Sequence, residues 1–172
     1  MKSRNQGKRY IKEFNEFVSF LKNVWGILAG ISALFPLSNI FLQAIPLETF
    51  DEGGVLVWFP ARLFTITATV ASLFVILWTF SQRKSLQKSR GLKSFQIQAW
   101  TSFGFGFLAL ISYLASYFFL VINAFDVLGW ESADSRRLIG EIPLLILYGT
   151  FFTLVTRAFV LLGMMEFFSK KG

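Results

Sequence analysis

The run IPLLILYGTFFTLVTRAFVLLGMMEFF, Ile142 to Phe168, holds one cation, Arg157, and one acid, Glu166, in what is otherwise hydrocarbon, aromatic ring and hydroxyl. A helix that crosses a bilayer needs about 20 mostly apolar residues in a row. This run is longer than that, so it predicts a transmembrane helix with an arginine in its middle. Three further stretches qualify: Leu21 to Ala44, Phe59 to Phe80 and Ala99 to Phe125. Together they predict an all-α integral membrane protein of four transmembrane helices, 21–44, 59–80, 99–125 and 142–168, arranged as two hairpins within a domain spanning 21–172.

Composition leads to the same class. Of the 172 residues 54% are hydrophobic and 22 are Phe, more apolar side chain than a soluble fold can cover with polar surface. Cys and His are both absent. That excludes disulfides, thiolate and imidazole metal sites, cysteine nucleophiles and the commonest general base. No metal and no cofactor is expected.

Orientation follows from the loops, because Lys and Arg in short loops collect on the cytoplasmic side. With both termini inside, the cytoplasmic set is Lys2, Arg4, Lys8, Arg9, Lys12, Lys22, Arg83, Lys84, Lys88, Arg90, Lys93, Lys170 and Lys171. Only Arg62, Arg136 and Arg137 fall outside. The acids Glu48, Asp51, Glu52, Asp126, Glu131, Asp134 and Glu141 fall outside as well. The pattern predicts a multi-pass protein of the cell membrane with N-terminus and C-terminus cytoplasmic. A net charge of +7 then reflects basic loops beside an anionic leaflet, with anionic lipids as partners and no direct nucleic-acid binding.

Residues 1–20 form a basic cytoplasmic N-terminus. Within YIKEFNEFVSFLK, residues Tyr10, Phe14, Phe17 and Leu21 fall on one helical stripe with Ile11 and Val18, and Lys12, Glu13, Glu16 and Lys22 lie opposite. The stripe predicts an amphipathic helix, either lying in the inner interface before the first span or simply extending that span.

Membrane helices are held together by close packing of small residues and by polar contacts. Gly26 and Gly30 in GILAG predict a face of close approach on the first span, and Pro36 predicts a kink that frees the carbonyl of Ser32. In the second span Arg62, Thr65, Thr69 and Ser72, followed by Thr79, make a polar seam at helical spacing. Gly106, Ala109, Ser112, Tyr113 and Ser116 make a similar stripe on the third. Gly149, Thr153, Thr156 and Gly163 share a side of the fourth, with Arg157 beside them. These faces either pack into one bundle core or line a path between copies. For Arg157 the in-chain partners expected are the Ser32 carbonyl, Tyr113 and Thr153.

No catalytic constellation stands out. Ser-x-x-Lys occurs three times at basic membrane edges, which marks coincidence, and no acid lies near the middle of a span to relay protons. The expected function is non-enzymatic: a homo-oligomer that forms or contributes to an ion channel or pore, serving as a gated membrane effector. The pore residues would be Arg157, Thr153, Thr156, Arg62, Thr65, Thr69 and Ser72. The competing expectation is a membrane anchor or adaptor that recruits a soluble cytosolic protein through the basic face Arg83, Lys84, Lys88, Arg90 and Lys93.

Overall fold

The computed structural model describes residues 2–38, 54–90, 92–118 and 133–169, with side chains described over 10–38, 65–86, 92–116 and 143–169. Every regular element among them is helical. They are α1 (Lys2–Leu21), α2 (Val24–Leu34) with a 3-10 turn (Phe35–Leu37), α3 (Gly54–Ser81), α4 (Arg83–Arg90), α5 (Leu92–Phe118) and α6 (Ala133–Ser169).

Two segments are long and apolar enough to cross a bilayer, Leu92–Ser116 in α5 and Pro143–Ser169 in α6. Tyr10–Leu21 and Val24–Leu37 would pass together but are bent by 83°. In α3, the described side chains of Thr65–Ser81 form a shorter apolar helix.

Bulky apolar side chains point outward and small or hydroxylated ones point inward. On α3 Ile66, Val70, Phe74 and Leu77 are exposed, whereas Thr65, Ala68, Thr69, Ser72 and Thr79 are buried. On α5 Phe105, Leu108, Ile111 and Leu114 are exposed, whereas Ala99, Ser102 and Ala109 are buried. Water would penalise that arrangement. Lipid does not, because its tails are as apolar as leucine and helices gain by bringing small residues together. The packing agrees with a membrane protein.

Helix α6 is the axis of the bundle. It packs against α2, α3 and α5, most extensively against α5, and α2 also touches α3. Small residues permit the approach: a Cβ on Gly106 would sit 3.4 Å from Leu154 and Val155, and one on Gly149 would sit 3.3 Å from Ala68. Phe103 packs edge-on to Phe159, and Phe95 stacks on Phe168, which fixes the antiparallel register of α5 and α6. At the α4 end a closed core gathers Phe20, Ile76, Phe80, Phe95, Val160, Leu161 and Met164.

Several boundaries differ from the sequence reading. The stretch 81–98 is not a loop, because α4 fills Arg83–Arg90 and α5 begins at Leu92. Pro143 does not open its helix; α6 starts at Ala133 and takes in much of the expected second outer connection. At Pro36 the helix is interrupted: α2 stops at Leu34, Pro36 sits, buried, in the 3-10 turn that follows, and Ser38 is helical again. A proline lacks the N–H that another α-turn requires, so the tighter turn takes over. Residues 39–53 and 119–132, with the ends expected for the first and third spans, lie outside the described residues.

The first span is not a straight extension of the N-terminal helix, since the chain turns sharply at Lys22 and Asn23. The Asn23 carbonyl accepts from the Ile27 N–H at 2.9 Å to start α2, and its Nδ2 donates to Glu166 Oε2 at 3.4 Å. The apolar stripe of α1 divides there. Phe17 and Phe20 join the core against Phe80, and Tyr10, Ile11 and Phe14 stay exposed. Gly26 is buried against the Phe20 carbonyl and Leu21 at this corner, but a Cβ on Gly30 would meet nothing within 4 Å. The close face of α2 is therefore Gly26, Ala29 and Ala33, spaced three and four apart, with Gly30 at its edge. Gly163 lies close to its neighbours: a Cβ there would sit 2.6 Å from Phe20 Cε2 and 3.0 Å from Trp25 Cβ.

Candidate functional site: an arginine at mid-span and its polar surroundings

Arg157 lies about 21 Å along α6 from Pro143 and about 18 Å from Ser169 at 1.5 Å per residue, near the middle of the apolar segment. Its Nη2 donates to Gln98 Oε1 at 3.4 Å, and Gln98 Nε2 donates to Ser94 Oγ at 3.2 Å. Both bonds are long. The Arg157 Nε is buried with no partner, and among the described residues no carboxylate pairs with the guanidinium.

The register of Phe103 on Phe159 places Arg157 level with about residue 104 or 105 of α5, so its side chain leans toward the α4 end, across roughly 9 Å, to reach Gln98. This is snorkelling inside the protein. The guanidinium bonds Gln98 and not the partners expected from sequence, and Thr153 donates instead to the Gly149 carbonyl at 2.8 Å. Gln98 was missed because it counted as loop; the early start of α5 lifts it into the bundle.

The hydroxyl seams face α6 within one chain. Ser72 Oγ and Thr153 Oγ1 lie 3.4 Å apart, Thr69 donates to the Thr65 carbonyl at 3.0 Å, and Thr156 Oγ1 donates to Ser32 Oγ at 3.0 Å. Thr65, Thr69, Ser72 and Thr156 are all buried. Ser72 ties α3 to α6, and Thr156 ties α6 to α2. Hydrogen bonds between membrane helices average about 0.6 kcal/mol and reach about 1.7 kcal/mol. Thr156→Val is accordingly expected to lower thermal stability in detergent by an amount in that range without changing the fold. The side chain of Arg62 lies outside the described residues.

One cleft approaches the arginine. It has a volume of about 320 Å³, lies between α3 and α6, and carries the hydroxyls of Thr67, Thr150 and Thr153 on walls that are otherwise apolar. Thr153 precedes Arg157 by one helical turn, so the cleft ends one turn short of the Arg157 backbone, and the guanidinium leans the other way, toward Gln98.

The basic face is partly spent inside the molecule. Arg83 is 5% exposed: Nη2 pairs with Glu16 Oε2 at 3.1 Å, Nη1 donates to the Phe80 carbonyl at 3.0 Å, and the guanidinium lies 4.2 Å from the Phe80 ring centroid. Lys84 Nζ meets Glu13 Oε1 at 2.8 Å. The acids of α1 thus grip the α3–α4 junction, Glu16 at a buried cation and Glu13 at a largely exposed one. Arg83 cannot serve as a docking residue, Lys93 is exposed, and the side chains of Lys88 and Arg90 lie outside the described residues. Glu16→Gln should loosen α1 by about 1.5–3 kcal/mol, because it leaves a buried guanidinium without its anion. Lys84→Gln should cost no more than about 1 kcal/mol, since that pair is largely exposed. Hydrogen exchange of the α1 amides measures both.

No protein-family model matches the chain, and no curated protein or solved structure is similar to it at a significant level.

Proposed function

We propose that the chain is a non-enzymatic integral membrane protein of the cell membrane, with four spans and both termini cytoplasmic, whose copies assemble into an ion-conducting pore. The observation that carries this reading is Arg157. A charge at the centre of a span costs about 2.5–3.5 kcal/mol even on the mildest scale. One long bond to a neutral amide compensates little of that. Water reaching the guanidinium at an interface between copies would compensate the rest. Fixed positive charge around such a path favours anions and raises a barrier to cations.

The buried hydroxyl seams act in this reading as packing that holds α6 in place, so the path runs beside Arg157 and not along those seams. The adaptor reading keeps less support, because Arg83 and Lys84 are already held by Glu16 and Glu13.

Two experiments test the proposal. The chain lacks cysteine, so single introduced cysteines report sidedness directly. Ser89 and Gly172 positions should label from the cytoplasmic side, and Gly53 and Ser132 positions from the other; labelling of Ser89 from outside would overturn the threading. In proteoliposomes the wild-type chain should release chloride faster than potassium, and a leak no greater than that of empty vesicles would remove the pore.

A further inference from the structure

Along α5, Lys93, Gln96, Trp100, Phe103, Gly104 and Phe107 recur every three or four residues and so share one side of the helix. Beneath all of these but Lys93 lies an open groove of about 720 Å³, walled also by Trp25 of α2 and by Leu162 and Met165 of α6. That volume falls within the roughly 300–1,000 Å³ of small-molecule sites. Its lining is apolar except for Gln96 at the α4 end. Gly104 leaves space, because a Cβ there would meet nothing within 4 Å. Trp100 is 63% exposed beside this groove.

Charge at one end of the groove indicates the occupant. Lys93 heads the α5 stripe one turn before Gln96, and Lys22 stands at the α1–α2 bend three positions before Trp25; both lysines are exposed. The acid next to Met165, Glu166, is engaged by Asn23. Two exposed lysines toward the α4 end of an apolar slot walled by two tryptophans match an acyl chain lying along the slot below an anionic headgroup.

We infer that this groove is a binding site for one anionic glycerophospholipid, with an acyl chain along Trp100, Phe103 and Phe107 and the phosphate between Lys22 and Lys93. The inference rests on the membrane placement alone and not on conduction: a chain that conducts no ions but retains the lipid satisfies it.

The test is native mass spectrometry of the purified full-length chain in detergent, with phosphatidylglycerol or phosphatidylcholine added. The wild type should retain one phosphatidylglycerol per chain in preference to phosphatidylcholine. Gly104→Leu, which enters the slot from a position whose Cβ meets nothing within 4 Å, should weaken retention of both lipids at least tenfold while helix content and oligomer size stay unchanged. Lys22→Gln with Lys93→Gln should lower the preference for phosphatidylglycerol about thirtyfold, roughly a factor of five to six per lysine, and leave phosphatidylcholine retention as it was. Wild-type lipid retention in Gly104→Leu would overturn the site. A changed oligomer size in that variant with lipid retention intact would assign the groove to a second copy of the chain instead. Equal retention of the two lipids by the wild type would overturn the headgroup contact.

Discussion

Gly26→Leu should destabilise the protein by about 3 kcal/mol or more, whereas Gly30→Leu should leave it almost unchanged. Overpacking a tight contact costs about 1–3 kcal/mol when neighbouring side chains can give way. At Gly26 the neighbours are backbone: a Cβ would lie 2.8 Å from the Leu21 Cα and 2.9 Å from the Phe20 carbonyl carbon. Those atoms form the 83° corner between α1 and α2, and moving them pulls Phe20 from the core and Asn23 from Glu166. Alanine makes the contrast one of sign. Helix propensity alone favours Ala over Gly by about 0.8–1 kcal/mol, so Gly30→Ala should stabilise by up to that amount. At Gly26 the clash outweighs propensity and the sign reverses. Melting of the four variants in one detergent decides the matter. A Gly26→Leu protein as stable as wild type would mean that the corner is not formed as described.

Arg157→Gln should cut chloride flux about tenfold or more while leaving membrane insertion, oligomer size and melting temperature near wild type. Glutamine keeps a donor within the α5–α6 interface but removes the charge, and charged constrictions raise local counter-ion concentration and on-rates by about 10–10³. In the purely structural alternative the guanidinium serves only to bond Gln98. Then the variant loses one long bond, flux persists, and stability falls slightly. Loss of assembly would instead make Arg157 a structural residue of the interface between copies. Gln98→Leu separates these further: it removes the sole hydrogen-bond partner of Arg157 among the described residues and should leave anion preference intact if the charge sees water.

The helices and their inward faces could be read from the sequence, because a lipid solvent leaves a simple signature. Thr65, Thr69 and Ser72 recur at helical spacing, and such residues have little reason to face hydrocarbon; the structure buries all three. The amphipathic N-terminal segment was legible for a similar reason, through Tyr10, Phe14 and Phe17. What the periodicity could not say was where a helix begins when its first turns are polar. Leu92 to Gln98 reads as loop by composition, yet Phe95 is fully buried against Phe168 and draws the segment into α5. That one boundary concealed both the partner of Arg157 and the head of the lipid groove.

Charge was equally ambiguous. Counting cations assigned Arg83 to an open cytoplasmic face, because nothing in a loop charge tally records that Glu13 and Glu16, one turn apart on α1, come within 3.1 Å of Arg83 and Lys84 after a sharp bend. The bend itself has only a faint local signal, an Asn before Val-Trp-Gly. The split between Gly26 and Gly30 depends on that bend too, since GILAG alone treats the two glycines alike.

Planar-bilayer recording of the wild-type protein under a tenfold KCl gradient tests the central claim most directly. With the Arg157 charge facing water in the assembled pore, the reversal potential should lie close to the chloride equilibrium potential. Absence of single-channel current from well-assembled protein, or a reversal potential displaced toward that of potassium, would contradict it.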